Sequence, residues 1–354
     1  MVQYKYGYIA LTVFGGFMVR KSITMKDIAE RLNVSIVTVS KALSDKEGVG
    51  EELKEKIKEL AVQMGYRYNA VAKAMKEGLS YNVGIIVPER FIGRQQSFYL
   101  TFHTHISQAL ESFGYYGILQ ILSPEDEEKL VLPRFYSEKR VDGMIVLGQI
   151  NKPYIETLQN TNTPIVFLDF YDEHSNIASV ITDSFYAAYE LTNYLIKNSH
   201  KEIAFVGNIY ATSSIQDRFL GYYKSLIEHH LPLNHDYIIN DRNEQGDFID
   251  IAIPEKLPTA FVCNNDEIAH NLIMKLKGMG IDVPGDVSVA GFDDDIFATI
   301  STPKITTVQV DMAEMSRVAV KILINKINKS TKEYGRLLVK AKLVLRDSVR
   351  AINN

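Results

Sequence analysis

"VSIVTVSKAL", residues 34–43, decides how the first part of this chain is read. Val34, Ile36 and Val39 are β-branched, and Ser35 interrupts them much as a half-buried strand would. The flanks speak for a helix. Upstream, Thr24 is placed to cap a helix start, with Asp27 three residues on. Ile28, Ala29 and Leu32 then share a face, and Asn33 can take the left-handed conformation of a tight exit. Downstream, Leu53, Ile57, Leu60, Ala61 and Met64 repeat at helical spacing until Gly65. Wound at about 100° per residue, with Ser35 as cap, 35–43 places Ile36, Val37, Ser40 and Lys41 in one arc. Thr38, Val39 and Ala42 fall on the opposite side. A strand between two helices would have no pairing partner, so the helical reading prevails.

Two short helices joined by a turn of about four residues, the second with an outward face of methyl and polar groups, form a helix-turn-helix. That face suits a DNA major groove, although periodicity alone leaves open an ordinary three-helix mini-core whose surface apolar residues have no role. Lys41 can donate to guanine or phosphate, Ser40 to a base edge or phosphate, and Ile36 and Val37 can pack on thymine methyls. The charge distribution agrees. Residues 1–80 carry 13 Lys/Arg against 9 Asp/Glu, whereas 81–354 carry 26 against 34. A basic head on an acidic body suggests that the head meets a polyanion and the body does not, although many solvated helices carry a similar imbalance.

The spacing T-x-x-D-I-A-x-x-x-x-V-S-x-x-T-V-S-K-x-L closely resembles the signature of the lactose/galactose repressor (LacI-type) family of bacterial transcription regulators. It is carried here by Thr24, Asp27, Ile28, Ala29, Val34, Ser35, Thr38, Val39, Ser40 and Leu43. The family's usual Ala-Gly turn is Leu32-Asn33. The resemblance implies that Ile36, Val37 and Lys41 read an operator, within a contact set that also includes Thr24, Ser35, Thr38 and Ser40. It further implies a hinge helix that enters the minor groove when two chains pair. The hinge pattern Y-x-P-N-x-x-A-x-x-L begins at Tyr66, with Asn69 and Ala72 matched. Tyr68 replaces the proline, and Met75 stands where the wedge leucine would be, a residue type still able to intercalate.

Beyond residue 81 strands and helices alternate. VGIIVP (83–88), YGILQIL (116–122), GMIVLG (143–148) and PIVFLD (164–169) read as buried parallel strands. A second series follows: ASVIT (178–182), EIAFVG (202–207), TAFVC (259–263) and VSVAGF (287–292). The expected architecture is an all-α helix-turn-helix head plus an α/β two-lobed body similar to the family's periplasmic-binding-protein-like sensor, with ligand between the lobes. The expected boundaries are 18–65 for the head, 66–80 for hinge and linker, and 81–350 for the body. Lobe one takes about 81–180 and 310–330, and lobe two about 181–308 and 331–350.

The resemblance assigns cleft residues to specific motifs. Arg218 stands in R-x-x-G-Y, Asn265 and Asp266 in N-N-D-E-I-A, Asp293 in G-F-D-D-D, and Asp169 at the end of P-I-V-F-L-D. Arginine forks and strand-end carboxylates suit the hydroxyls of a sugar. Phe98 and Tyr99 match the family's N-P-F-F region, an aromatic platform for a sugar face, although Gln96-Ser97 replaces its Asn-Pro. Structural alternatives stand beside these roles. They are an Arg218–Asp293 ion pair, capping or loop support by Asp169 and Asn265, an N-cap at Asp266, and core packing for one of the two aromatics.

Several other classes lack support. Cys263 is the single cysteine, so one chain can form neither a disulfide nor a cysteine-based zinc site. His103 and His105 would diverge on a helix, unlike a metalloprotease pair, and no phosphate-loop, nucleophile-elbow or dinucleotide fingerprint occurs. The chain is read as a cytoplasmic regulator without catalytic activity or cofactor. Its expected partners are an operator duplex, a second copy of itself and a small effector, with carbohydrate the implied class. A secreted solute-binding protein would share the body but not the head. Residues 1–17 hold an apolar run of about ten residues, too short to span a bilayer. They read as an artefact of an upstream start, with Met18 the natural one, or as a disordered arm, or as an ordered extension.

Overall fold

The computed structural model describes residues 23–66, 77–92, 97–243 and 246–352. They fall into two compact units that divide at Glu77 and Gly78.

The head consists of α1 (Met25–Leu32), α2 (Ile36–Leu43) and α3 (Glu51–Gln63). Local chemistry delimits each helix. The Asp27 carboxylate accepts from the Thr24 backbone N–H at 2.7 Å, and the Asp27 N–H donates back to the Thr24 hydroxyl at 3.4 Å, a reciprocal capping box. Asn33 ends α1 in the left-handed conformation at φ 51°. Ser35 starts α2, its hydroxyl accepting from the Thr38 N–H at 3.0 Å. Ile28, Ala29, Val39, Ala42, Ile57 and Ala61 form the core. The stretch 34–43 is therefore helical because Val39 and Ala42 are needed inside. Burying Val39, Ile28 and Ile57 contributes roughly 1.5–3 kcal/mol each, which outweighs the weak strand preference of β-branched residues.

The body contains two parallel sheets. In the first, β1 (Asn82–Pro88), β2 (Tyr116–Leu122), β3 (Gly143–Leu147), β4 (Ile165–Leu168), β5 (Ala178–Thr182) and β11 (Arg336–Val339) lie in the order β11-β5-β4-β3-β1-β2. In the second, β6 (Ile203–Val206), β7 (Ile238–Ile239), β8 (Ala260–Cys263) and β9 (Ser288–Ala290) lie in the order β7-β6-β8-β9. A short antiparallel pair, β10 (Thr307–Gln309) with β12 (Lys342–Val344), accompanies them.

Two sequence expectations need correction. ASVIT is not the first strand of the second lobe. It is β5, which pairs with β4 through Val166↔Ala178 and continues the first sheet. Nor does all of 331–350 belong to the second lobe, because β11 pairs in parallel with β5 through Arg336↔Ser179. An apolar run announces a buried strand but carries no label for its sheet, and register decides that.

Helices cover both faces of these sheets. Three matter for the site: α4 (Ser97–Ser112), α8 (Ser184–Lys197) and α9 (Ser213–Glu228), numbering every α-helix in chain order. α8 and α9 pack against each other unusually closely at Gly221, where a Cβ would meet the Phe185 carbonyl oxygen at 2.0 Å. Only glycine permits that approach, which locates the helix one turn beyond Arg218.

Candidate functional site

In the head, the outer face of α2 matches its helical geometry. Ile36 is 47% exposed and Val37 is 64% exposed, although burial was open to two aliphatic side chains beside a small core. Lys41 is exposed and Ser40 is half-buried. Lys26, Lys54, Lys56 and Lys58 each lie within 4 Å of a carboxylate, whereas Arg31, Lys41 and Lys46 have no such partner among the described residues. The uncompensated charge thus gathers around α2, where an approaching phosphate would meet it.

Three residues of the expected contact set already have local duties. Thr24 donates its hydroxyl to Asp27 at 2.7 Å. Ser35 and Thr38 share a hydroxyl–hydroxyl bond at 2.8 Å, and Thr38 is half-buried. These hydroxyls fix the helix starts, which leaves Ile36, Val37, Ser40 and Lys41 as the outward face. Asn69, Ala72 and Met75, as well as residues 1–17, lie outside the described residues.

In the body, four of the six expected ligand residues come together although they are far apart in sequence. Asp169 follows β4, and its carboxylate accepts from the Tyr99 hydroxyl of α4 at 3.1 Å. Arg218 of α9 donates to the Asn264 carbonyl and, at 3.0 Å, to the Asp293 carboxylate. Its guanidinium carbon also lies 3.8 Å from the centre of the Phe292 ring. Both carboxylates sit on left-handed backbone, Asp169 at φ 67° and Asp293 at φ 106°. Such conformations cost about 1–3 kcal/mol for a residue with a Cβ, and they aim both side chains into the cleft.

Charge and burial compete at this cluster. Burial pushes the Asp169 carboxyl up to about 6, against the positive charge of Arg218. Burial likewise pushes Asp293 to about 7, again opposed by Arg218 and reinforced by Asp295 and Asp169. The Tyr99 hydroxyl rises well above its usual value through burial and the neighbouring Asp169 charge. Near neutral pH the two acids can therefore either accept or donate a hydrogen bond. Arg218 Nε and the Ser213 hydroxyl are buried without a partner among the described residues. Orphaned donors beside adaptable carboxyls are what a polyhydroxylated ligand would satisfy.

The two remaining expected residues have structural tasks. Phe98 packs edge-on against Phe102 at 5.3 Å and joins the core, so Tyr99 is the aromatic that reaches the cleft. Asn265 caps the helix α10 (Asp266–Gly278), its side-chain oxygen accepting from the Ile268 N–H at 2.8 Å. The expected N-cap at Asp266 is thereby corrected. Asp266 is fully buried and accepts from the Thr307 hydroxyl at 2.5 Å and the Asp295 N–H at 3.0 Å. β8 ends at Cys263 as expected, but the helix begins at Asp266 itself, so Asn265 takes the cap and Asp266 turns inward.

Sequence reasoning missed several contributors. Asn264 supplies the carbonyl for Arg218, and its amide donates to the fully buried Asp241 at 2.8 Å. Two bonds reach α9 from the first lobe: the Ser213 N–H donates to the Gln149 side chain at 2.9 Å, and Tyr171 donates to Asp217 at 3.1 Å. Phe248 is 51% exposed beside Arg242, on a segment tied to the carboxyl ends of β6 and β8 through Asn208 and Asn264. The Asn264-Asn265 doublet was the one local signal, since only one of the two can cap a helix.

Comparison with known proteins bears on both units. Residues 24–69 match the family profile of bacterial regulatory proteins, lacI family, and residues 192–349 match a periplasmic binding protein-like domain. The probable HTH-type transcriptional repressor ExuR of Bacillus subtilis (strain 168) is 30% identical over 340 residues, covering 93% of this chain and 99% of that protein. Catabolite control protein A of Priestia megaterium is 28% identical over 340 residues, covering 93% and 100%. The lac repressor dimer bound to operator and the anti-inducer ONPF superposes with a TM-score of 0.74 at 21% identity, covering 94% of this chain and 100% of that one. A complex of the transcriptional regulator CelR with cellobiose gives 0.67 at 20% identity, covering 92% and 99%.

Proposed function

The chain belongs to the lacI family of bacterial regulatory proteins, and we propose that it is a cytoplasmic repressor that holds a pseudo-palindromic operator as a homodimer and responds to a carbohydrate in its cleft. Two heads, each presenting Ile36, Val37, Ser40 and Lys41, would meet successive major grooves on one side of the duplex. A sugar between the lobes would engage Tyr99, Asp169, Arg218 and Asp293, change the angle between the lobes, and pass that change through the linking segment to the heads.

The observation that carries this reading is the buried Tyr99–Asp169 and Arg218–Asp293 cluster, with its two unpartnered donors, in a chain that also presents an exposed apolar and basic helix face. A solute-binding protein would need the first and has no use for the second. An enzyme is a poor rival, because the relatives at this similarity are transcription regulators. Pairing of two chains has a surface to support it. β2 is the free edge of the first sheet, and Tyr116, Leu119 and Ile121 along it are 71%, 37% and 47% exposed. An exposed apolar edge strand is unusual unless another chain covers it.

The test is to select duplexes from a random pool with the full chain, then titrate neutral and acidic sugars while following fluorescence anisotropy of the selected DNA. A recovered two-fold-symmetric sequence whose affinity shifts with one sugar is the expected result. Recovery of no preferred sequence would overturn the regulator reading. A sugar response that survives Arg218→Ala unchanged would overturn the cleft assignment.

A further inference from the structure

The first lobe carries a second cavity, separate from the sugar cleft. It is a groove of about 810 Å3 between the loop that connects β4 to β5 and the loop that precedes β11. Lys326, Lys332 and Arg336 line it, and none of the three has a carboxylate within 4 Å among the described residues. For Arg336 that is unusual in this body, where seven other arginines each hold a carboxylate. It is more unusual because Asp172, Glu173 and Glu333 line the same groove.

Aromatic faces account for the separation. Arg336 lies over the Tyr171 ring at 4.3 Å, and Lys332 lies over the Tyr334 ring at 5.0 Å. Each ring attracts its cation without supplying a carboxylate, and the N–H donors that do not point at the ring stay available. The acids are differently placed. Glu173 and Glu333 are exposed and keep their hydration, and Asp172 accepts from the His174 N–H at 3.1 Å. Lys326 has the most to gain from a ligand. It is half-buried, and among the described residues its ammonium reaches a single partner, the Ile165 carbonyl, at 3.3 Å. Burial accordingly holds its pKa below the usual lysine value.

We propose that this groove is a second ligand site, for a small multivalent oxyanion such as a phosphate ester or a polycarboxylate. Lys326 supplies the dehydrated charge at its floor, Arg336 a planar fork at its wall and Lys332 a mobile charge at its rim. A multivalent anion suits three cations on separate elements better than a single chloride does. The site also has a route to the cleft. Arg336 touches Tyr171, Tyr171 donates to Asp217, and Asp217 directly precedes Arg218 on α9. An anion that draws Arg336 off the Tyr171 ring disturbs the bond that ties α9 to the first lobe. This proposal does not depend on the cleft binding a sugar.

Isothermal titration of the full chain with pyrophosphate in one arm and citrate in the other tests it, each against sodium chloride at equal ionic strength. The expected result is saturable binding at one site per chain in at least one arm, and the tighter arm identifies the source of the charge. Arg336→Gln and Lys332→Gln, both at exposed positions, should each weaken that binding roughly tenfold, and Lys326→Gln at least as much. Lys277→Gln, at an exposed position in the second lobe, should leave it unchanged. Heats no larger than those of sodium chloride in both arms would overturn the proposal. So would binding that Arg336→Gln and Lys332→Gln leave intact while circular dichroism shows both variants folded.

Discussion

Replacing Arg218 by methionine should destabilise the body by an amount that grows with pH, and the size of that growth can be bounded. Methionine keeps the length of the side chain and some contact with Phe292, but it removes the donors to the Asn264 carbonyl and to Asp293. Near pH 5 both cleft carboxyls, at about 6 for Asp169 and about 7 for Asp293, are mostly neutral. The loss is then that of hydrogen bonds and of a carbonyl left unpaired, about 1–3 kcal/mol. Near pH 8 the native protein ionises both groups beside the guanidinium. Without it they stay protonated while the unfolded chain has released both protons.

The sign follows from linkage. A carboxyl raised in the folded state stabilises below its unfolded value and loses that contribution as pH rises through its folded value. Native protein therefore loses stability from about pH 4 towards pH 7, whereas the variant goes on losing it above pH 7. Between the folded values and pH 8 lie one unit for Asp293 and two for Asp169. At 1.36 kcal/mol per unit the additional loss is bounded at about 4 kcal/mol. Urea titrations of both proteins at several pH values, followed by the near-ultraviolet tyrosine signal, would measure it. Curves of stability against pH that stay parallel from about pH 5 to pH 8 would refute the electrostatic account of this cluster.

Four further outcomes are expected. Lys41→Ala should weaken binding to a selected operator by roughly 1–3 kcal/mol, and unchanged affinity for both selected and random duplexes would remove α2 as the reading helix. Operator affinity should fall with a log–log salt slope of about −0.9 per phosphate contacted, and a flat dependence would contradict the basic-head reading. Leu119→Arg should shift the sedimentation of the full chain from dimer towards monomer, because it places a charge on the free edge of the first sheet; an unaltered dimer would move the interface elsewhere. Asn265→Ala should cost about 0.5–2 kcal/mol of stability through its lost cap, with less effect on sugar affinity than Arg218→Ala, and the reverse pattern would return Asn265 to the ligand set.

The sequence by itself determined what depends on neighbours along the chain. Helix starts at Thr24 and Ser35, the left-handed exit at Asn33 and the outward placement of Ile36 and Val37 follow from capping chemistry and a period of 3.6 residues. The strand–helix alternation of the body was legible where strands are short apolar runs. β11 (RLLV) and β12 (KLV) carry no such run, and β2, expected to be buried, is a largely exposed edge. What depends on partners distant in sequence was not legible. β5 and β11 joined the first sheet because register, which no local composition encodes, pairs Ala178 with Val166 and Arg336 with Ser179. Motif resemblance pointed to both Asn265 and Asp293, yet only the folded chain separates them. Helix α10 consumes the side-chain oxygen of Asn265, while a left-handed backbone turns Asp293 onto Arg218, 75 residues away in sequence. A side chain becomes available to a ligand when the surrounding backbone leaves its polar atoms unclaimed, and that is decided by packing in three dimensions.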